Sequence, residues 1–122
     1  MKEEKINAVL QNLKDSNSSI DGAALVTSDG LMISSNLSKN MDEDRISAMS
    51  AALLSLSERA VEELEKGVPE QVTIKGDNGY IILTSASQEA VLTVTTSKSA
   101  KLGLIYLDVK KSAKQLMEIF GA

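Results

Sequence analysis

The chain has no cysteine, no histidine and no tryptophan, a single proline and only three other aromatic residues, Tyr80, Tyr106 and Phe120. Without cysteine there are no disulfides, thiolate metal sites, iron–sulfur clusters or thiol nucleophiles. Without histidine the commonest metal ligand and the commonest neutral-pH proton carrier are gone. Three aromatic side chains are too few to build a stacking platform for bases or sugars. The 122 residues carry 13 basic and 17 acidic side chains, a net charge of −4. That balance lacks the basic footprint of a nucleic-acid binder and gives no pull toward an anionic membrane. No run approaches the ~20 apolar residues of a spanning helix. The N-terminal MKEEKINAVLQNLKDS is charged throughout, unlike a secretory leader, so a cytoplasmic protein is expected. The sequons at Asn17 and Asn36 have meaning only with export.

What is present is periodic. Ile6, Val9, Leu10 and Leu13 recur at i, i+3, i+4, i+7, predicting a short amphipathic helix over residues 2–15. Ile20 to Thr27 reads as a strand, Asp29-Gly30 as the positive-φ pair of a tight hairpin, and Leu31 to Leu37 as a more polar returning strand. Met41 to Lys66 reads as the long helix, with Asp42, Glu43 and Asp44 at its positive dipole end, Gly67 as C-cap and Pro69 blocking continuation. Gln71 to Gly76 alternates as a half-buried strand, and Asp77-Asn78-Gly79 is a turn. Tyr80 to Ser85 and Val91 to Thr96 are apolar or β-branched on both faces, as central covered strands are. From Ser97 to Phe120 the positions Leu102, Ile105, Val109, Ser112/Ala113, Leu116 and Phe120 predict a final helix, with Ser97 or Ser99 as N-cap. The expected order is α-ββ-α-βββ-α around one mixed or antiparallel sheet, a single domain over 1–122, with the first, fourth and fifth strands central.

The long helix holds the sequence's anomaly. SAMSAALLSLS, residues 47–57, passes three turns without a charge. At 100° per residue Ile46, Met49, Leu53, Leu56, Ala60 and Leu64 form the expected core stripe. The far side then shows Ala48, Ala51 and Ser55 where Lys or Glu would normally face water. Small residues there let another backbone approach, and the same helix of a second copy about a two-fold axis is the simplest neighbour. An exposed Ala/Ser face chosen for helix propensity is the alternative. On the contact reading, a carboxylate placed at Ala48 or Ala51 weakens the dimer by several kcal/mol. The open edge strand Gln71–Gly76 would continue the sheet across that dyad, against the alternative of a solvated edge.

No catalytic constellation is visible. GDNG is a hairpin turn and no phosphate loop occurs. Asp42, Glu43 and Asp44 are explained by a helix start better than by a metal. Ser97-Lys98-Ser99 suits a helix start better than a Ser–Lys nucleophile. The expectation is no enzyme, no cofactor and no metal.

Taken together, IDGAALVTSDGLMISSN at 20–36, DEDRISAMSAALLSLSERAVEEL at 42–64, VTIKGDNGYIILTS at 72–85 and KLGLIYLDVKKSAKQL at 101–116 resemble the roadblock/dynein light chain family, particularly its stand-alone prokaryotic, MglB-like members. The resemblance spans essentially the whole chain. It implies an α+β, three-layer α-β-α sandwich of the roadblock/longin/profilin kind, a five-stranded antiparallel sheet in order 2-1-5-4-3, and the long helix alone on one face. It also implies a homodimer through the long helix and third strand, with an interface over Ala48, Ala51, Ala52, Ser55, Val72 and Ile74. Functionally it implies a platform for a small Ras-like GTPase. The arginines Arg45 and Arg59 both lie on the long helix, poorly placed to reach a nucleotide, so any stimulation of hydrolysis is expected to be indirect. The expected partner surface is Arg45, Ala48, Ser55 and Arg59. Other readings are a pure assembly module of a motor light-chain or scaffold type, or a small-molecule sensor, for which the sequence displays no buried polar cluster.

Overall fold

The computed structural model describes residues 1–120. Apolar periodicity decides the first and last helices. In α1, Lys2–Ser16, the four spaced residues Ile6, Val9, Leu10 and Leu13 are the buried ones. In α3, Leu102–Phe120, Ile105, Val109, Ser112, Ala113 and Leu116 are buried. Both stripes face the same side of the sheet and pack there with Leu25, Ile82, Leu92 and Val94 in the larger of two apolar clusters.

The strands are β1 Ile20–Thr27, β2 Met32–Leu37, β3 Gln71–Gly76, β4 Gly79–Ser87 and β5 Ala90–Thr96. They form one sheet in the order β2-β1-β5-β4-β3, with all neighbours antiparallel. β5 is buried at six of its seven positions, β1 at six of eight, and β3 at none, as central and edge strands require. The fold is therefore α+β with three helices on a five-stranded antiparallel sheet, the architecture the resemblance implied.

α2, Glu43–Glu63, lies alone on the opposite face. Asp42 caps it, Oδ1 accepting from the N–H groups of Asp44 at 2.9 Å and Arg45 at 3.2 Å. Its C-terminus departs from expectation. The Lys66 N–H donates to Val61 O at 2.6 Å and the Glu65 N–H to Glu62 O at 3.2 Å. These are the two bonds of a Schellman ending, and Glu65, at φ 57, takes the left-handed position expected of Gly67. In the first hairpin only Gly30 has positive φ, not Asp29. Ser97 and Ser99 do not cap α3. The Ser97 N–H still donates to Ser19 O at 2.8 Å, holding the chain on the sheet, and α3 starts five residues later.

Candidate partner-binding surface

The two faces of the sheet are unequally filled. The α1/α3 side buries sixteen residues in its cluster; the α2 side buries four, Ala24, Val26, Leu83 and Val91, with half-buried Met32, Leu37, Ile46, Leu53, Leu54 and Val72 around them. The reason lies in how α2 sits. Its only buried residues are Ser47 and Ser50. Ser50 is 2% exposed and its Oγ shares a 2.8 Å hydrogen bond with Thr93 Oγ1 on β5. Ser47 Oγ donates back to Asp44 O at 3.1 Å, satisfying itself within the helix. Small satisfied hydroxyls let the helix lie close to the sheet, and the β1–β2 turn closes over it: a Cβ added at Gly30 would lie 3.5 Å from that of Ala51.

This seating turns α2 by roughly 90° from the orientation its apolar stripe predicts. The residues expected in the core are divided. Ile46 and Leu53 are half-buried, while Met49 is 55% exposed, Leu56 61% and Leu64 71%. Sheet contact falls instead to the flank carrying Ser47, Ser50 and Leu54. An apolar stripe of Met49 and Leu56 thus faces outward, bounded by Leu53, which packs on the α2-side cluster. On the adjoining sheet surface, Ile74 of β3 lies across from Ile81 of β4, each 37% exposed. Val72, two residues from Ile74 and on the same face, reaches the α2-side cluster.

The residues singled out in the sequence fall as follows. Ala48, Ala52 and Ser55 are exposed. Ala51 is half-buried beneath the first hairpin rather than on an open face, because the helix is turned. Arg45, Ala48, Ser55 and Arg59 are all exposed and fall within an arc of roughly 80° on the helix surface. Arg59 approaches Glu63 at 4.0 Å with both side chains in water. Arg45 borders a hollow of about 470 Å³ with Met41, Ile46 and Thr95. Sequence reasoning missed Met49, Leu56 and Ile81 as surface residues; their signal was present, in the very stripe assigned to the core. Among the described residues no three acidic side chains gather closely enough to hold a metal, and no helix is long and apolar enough to cross a membrane.

Comparison with known proteins gives consistent matches. The family model described as Roadblock/LC7 domain matches residues 5–96. A Methanocaldococcus jannaschii protein, described as uncharacterized protein MJ1340, is 34% identical over 101 residues, covering 83% of this chain and 88% of its own length. Myxococcus xanthus MglB superposes with a TM-score of 0.91 at 24% identity, covering 98% of this chain and 90% of that one. A solved structure of MglB with tetrameric arrangement gives 0.90 at 18% identity, covering 97% and 89%.

Proposed function

Because this chain belongs to the Roadblock/LC7 domain family, we propose that it is a single-domain, non-catalytic homodimeric scaffold, cytoplasmic, that binds and regulates a small Ras-like GTPase. The observation that carries the reading is the outward apolar stripe of α2. Met49 and Leu56 are more than half exposed on a helix whose only fully buried residues are serines. Two large apolar side chains one face apart from the core, continued by Ile74 and Ile81, call for a protein neighbour. A second copy satisfies the stripe by symmetry: Met49, Ala52, Leu53 and Leu56 meet their equivalents, Ala48 and Ser55 lie alongside, and Val72 and Ile74 carry the open β3 edge to its mate. A relative solved in a tetrameric arrangement supports self-association.

The GTPase reading rests on family membership together with what such a dimer presents. Arg45, Ala48, Ser55 and Arg59 lie beside the seam, so pairing two helices makes one continuous surface containing both copies of each. The arginines stand on a rigid helix and not on a projecting loop. They act on a partner's conformational equilibrium, and not by entering its nucleotide site. A tenfold preference for one nucleotide state corresponds to about 1.4 kcal/mol of differential binding. The test is titration of the purified dimer with a Ras-like GTPase from the same genome, loaded with GDP or a non-hydrolysable GTP analogue, alongside single-turnover hydrolysis. Nucleotide-dependent affinity is expected. State-independent binding without an effect on hydrolysis would identify a passive assembly module, and no binding at tens of micromolar would remove the GTPase from the account.

A further inference from the structure

On the opposite side of the sheet from α2, a groove of about 720 Å³ runs between the C-terminal half of α3 and the β3–β4 edge. That size is typical of small-molecule sites. Val68, Pro69 and Met117 supply apolar wall, and Lys110 and Lys114 stand over it. These two lysines are one turn apart on α3 and therefore project on the same side. Neither has a carboxylate within ion-pair distance among the described residues, where Arg59–Glu63 is the only such pair; Glu70 borders the groove without closing on either. Thr84 on β4 adds a polar group to the lining. Its buried Oγ1 is the one buried side-chain polar atom among the described residues without a hydrogen-bond partner. Unmatched buried hydroxyls are rare in folded chains and ask for an explanation. In a chain of net charge −4, α3 carries Lys110, Lys111 and Lys114 against Asp108 and Glu118.

We propose that this groove binds a small organic anion with an apolar body, its acidic group between Lys110 and Lys114, its hydrogen-bonding edge on Thr84 and its body against Val68, Pro69 and Met117. Each part of the lining selects one part of that ligand. Two unpaired ammonium groups select the anionic head, and the walls select a hydrocarbon body. The two lysines and the buried hydroxyl favour this occupant over a wholly apolar one. Thr84 and the two lysines lie on the face opposite α2, so the groove is separate from the helix surface offered to a GTPase, while its Val68–Gln71 wall leads into the β3 edge that the proposed dimer pairs.

The full-length chain is titrated with 8-anilinonaphthalene-1-sulfonate as an anionic probe and with N-phenyl-1-naphthylamine as its uncharged counterpart. Saturable binding of the sulfonate at one site per chain is expected. The Lys110→Gln/Lys114→Gln variant should weaken it by at least about tenfold while leaving the neutral probe unchanged. Thr84→Val should weaken it by about fivefold without lowering the melting temperature, since a methyl replaces an unpaired hydroxyl. A merely structural Thr84 would not move the affinity. Unchanged sulfonate affinity in the lysine variant overturns the proposal. So does loss of the dye signal in Met49→Gln, which would place the dye on α2. A glutamate-rich peptide that binds where the sulfonate does not would assign the groove to a polypeptide and also overturn it.

Discussion

Replacing Leu56 by Glu separates the fold of one copy from the association of two. Leu56 is 61% exposed on the isolated chain, so its truncation opens no cavity and the fold tolerates a charge there. In a dimer along α2 the same position is covered. Complete burial of a leucine side chain is worth roughly 1.5–3 kcal/mol. With 61% of it still exposed, association gains about 1–2 kcal/mol per copy. A two-fold axis doubles that to roughly 2–4 kcal/mol. Glu additionally brings two carboxylates into the seam, each with a desolvation cost of several kcal/mol before relaxation and water penetration relieve part of it. A net penalty of about 5 kcal/mol is expected, which raises the dimer dissociation constant roughly 10³- to 10⁴-fold. Sedimentation equilibrium over a wide concentration range measures the constant, and far-UV circular dichroism checks the fold. Leu54→Glu is the control. Leu54 is half-buried in the α2-side cluster, so a charge there attacks the chain itself and both readouts fall. Ala51→Glu belongs with that control, because Ala51 lies under the first hairpin. A Leu56→Glu protein that still dimerises with native affinity refutes the seam.

Two backbone positions give further tests. Gly79 has φ +151, and a Cβ there would stand 1.9 Å from Thr96 O. Gly79→Ala should cost at least about 3 kcal/mol by urea denaturation, because the obstacle is backbone and not a yielding side chain; a cost under 1 kcal/mol would contradict that approach. Glu65 holds a left-handed conformation, φ 57, at an exposed helix end. Glu65→Gly should stabilise the chain by about 0.5–1 kcal/mol, the relief of Cβ strain exceeding the added freedom of the unfolded chain. Destabilisation on the same measurement would mean that the Glu65 side chain contributes something the backbone argument omits.

The sequence carried most of the architecture because most of it is written in periodicity. The stripes Ile6–Leu13 and Ile105–Leu116 named both the helices and the sides they bury, and the two-faced strands β1, β4 and β5 declared themselves central. Where reading failed, it failed for a physical reason. Periodicity fixes the phase of an apolar stripe but not what covers it. Met49 and Leu56 look the same in sequence whether a sheet or another protein lies over them. The sheet instead took the serine flank, since Ser50 finds Thr93 there, a pairing between residues 43 apart that no local pattern announces. The Schellman ending at Glu65 was hidden by a nearby glycine that suited the role better by composition. Thr84 was hidden inside a strand of β-branched residues, where nothing distinguishes a threonine that packs from one whose hydroxyl is left over.

The unequal filling of the two sheet faces bears on how the molecule opens. A layer that encloses four buried apolar residues separates at lower free energy than one that encloses sixteen. The amides of α2 are therefore expected to exchange with solvent deuterium sooner than those of α1 and α3 at high dilution, and the proposed dimer predicts that their protection climbs with protein concentration while that of the other two helices stays flat. Whatever clamps the long helix acts as its second wall, and the exchange rate of that one layer becomes a gauge of how much of the protein is engaged.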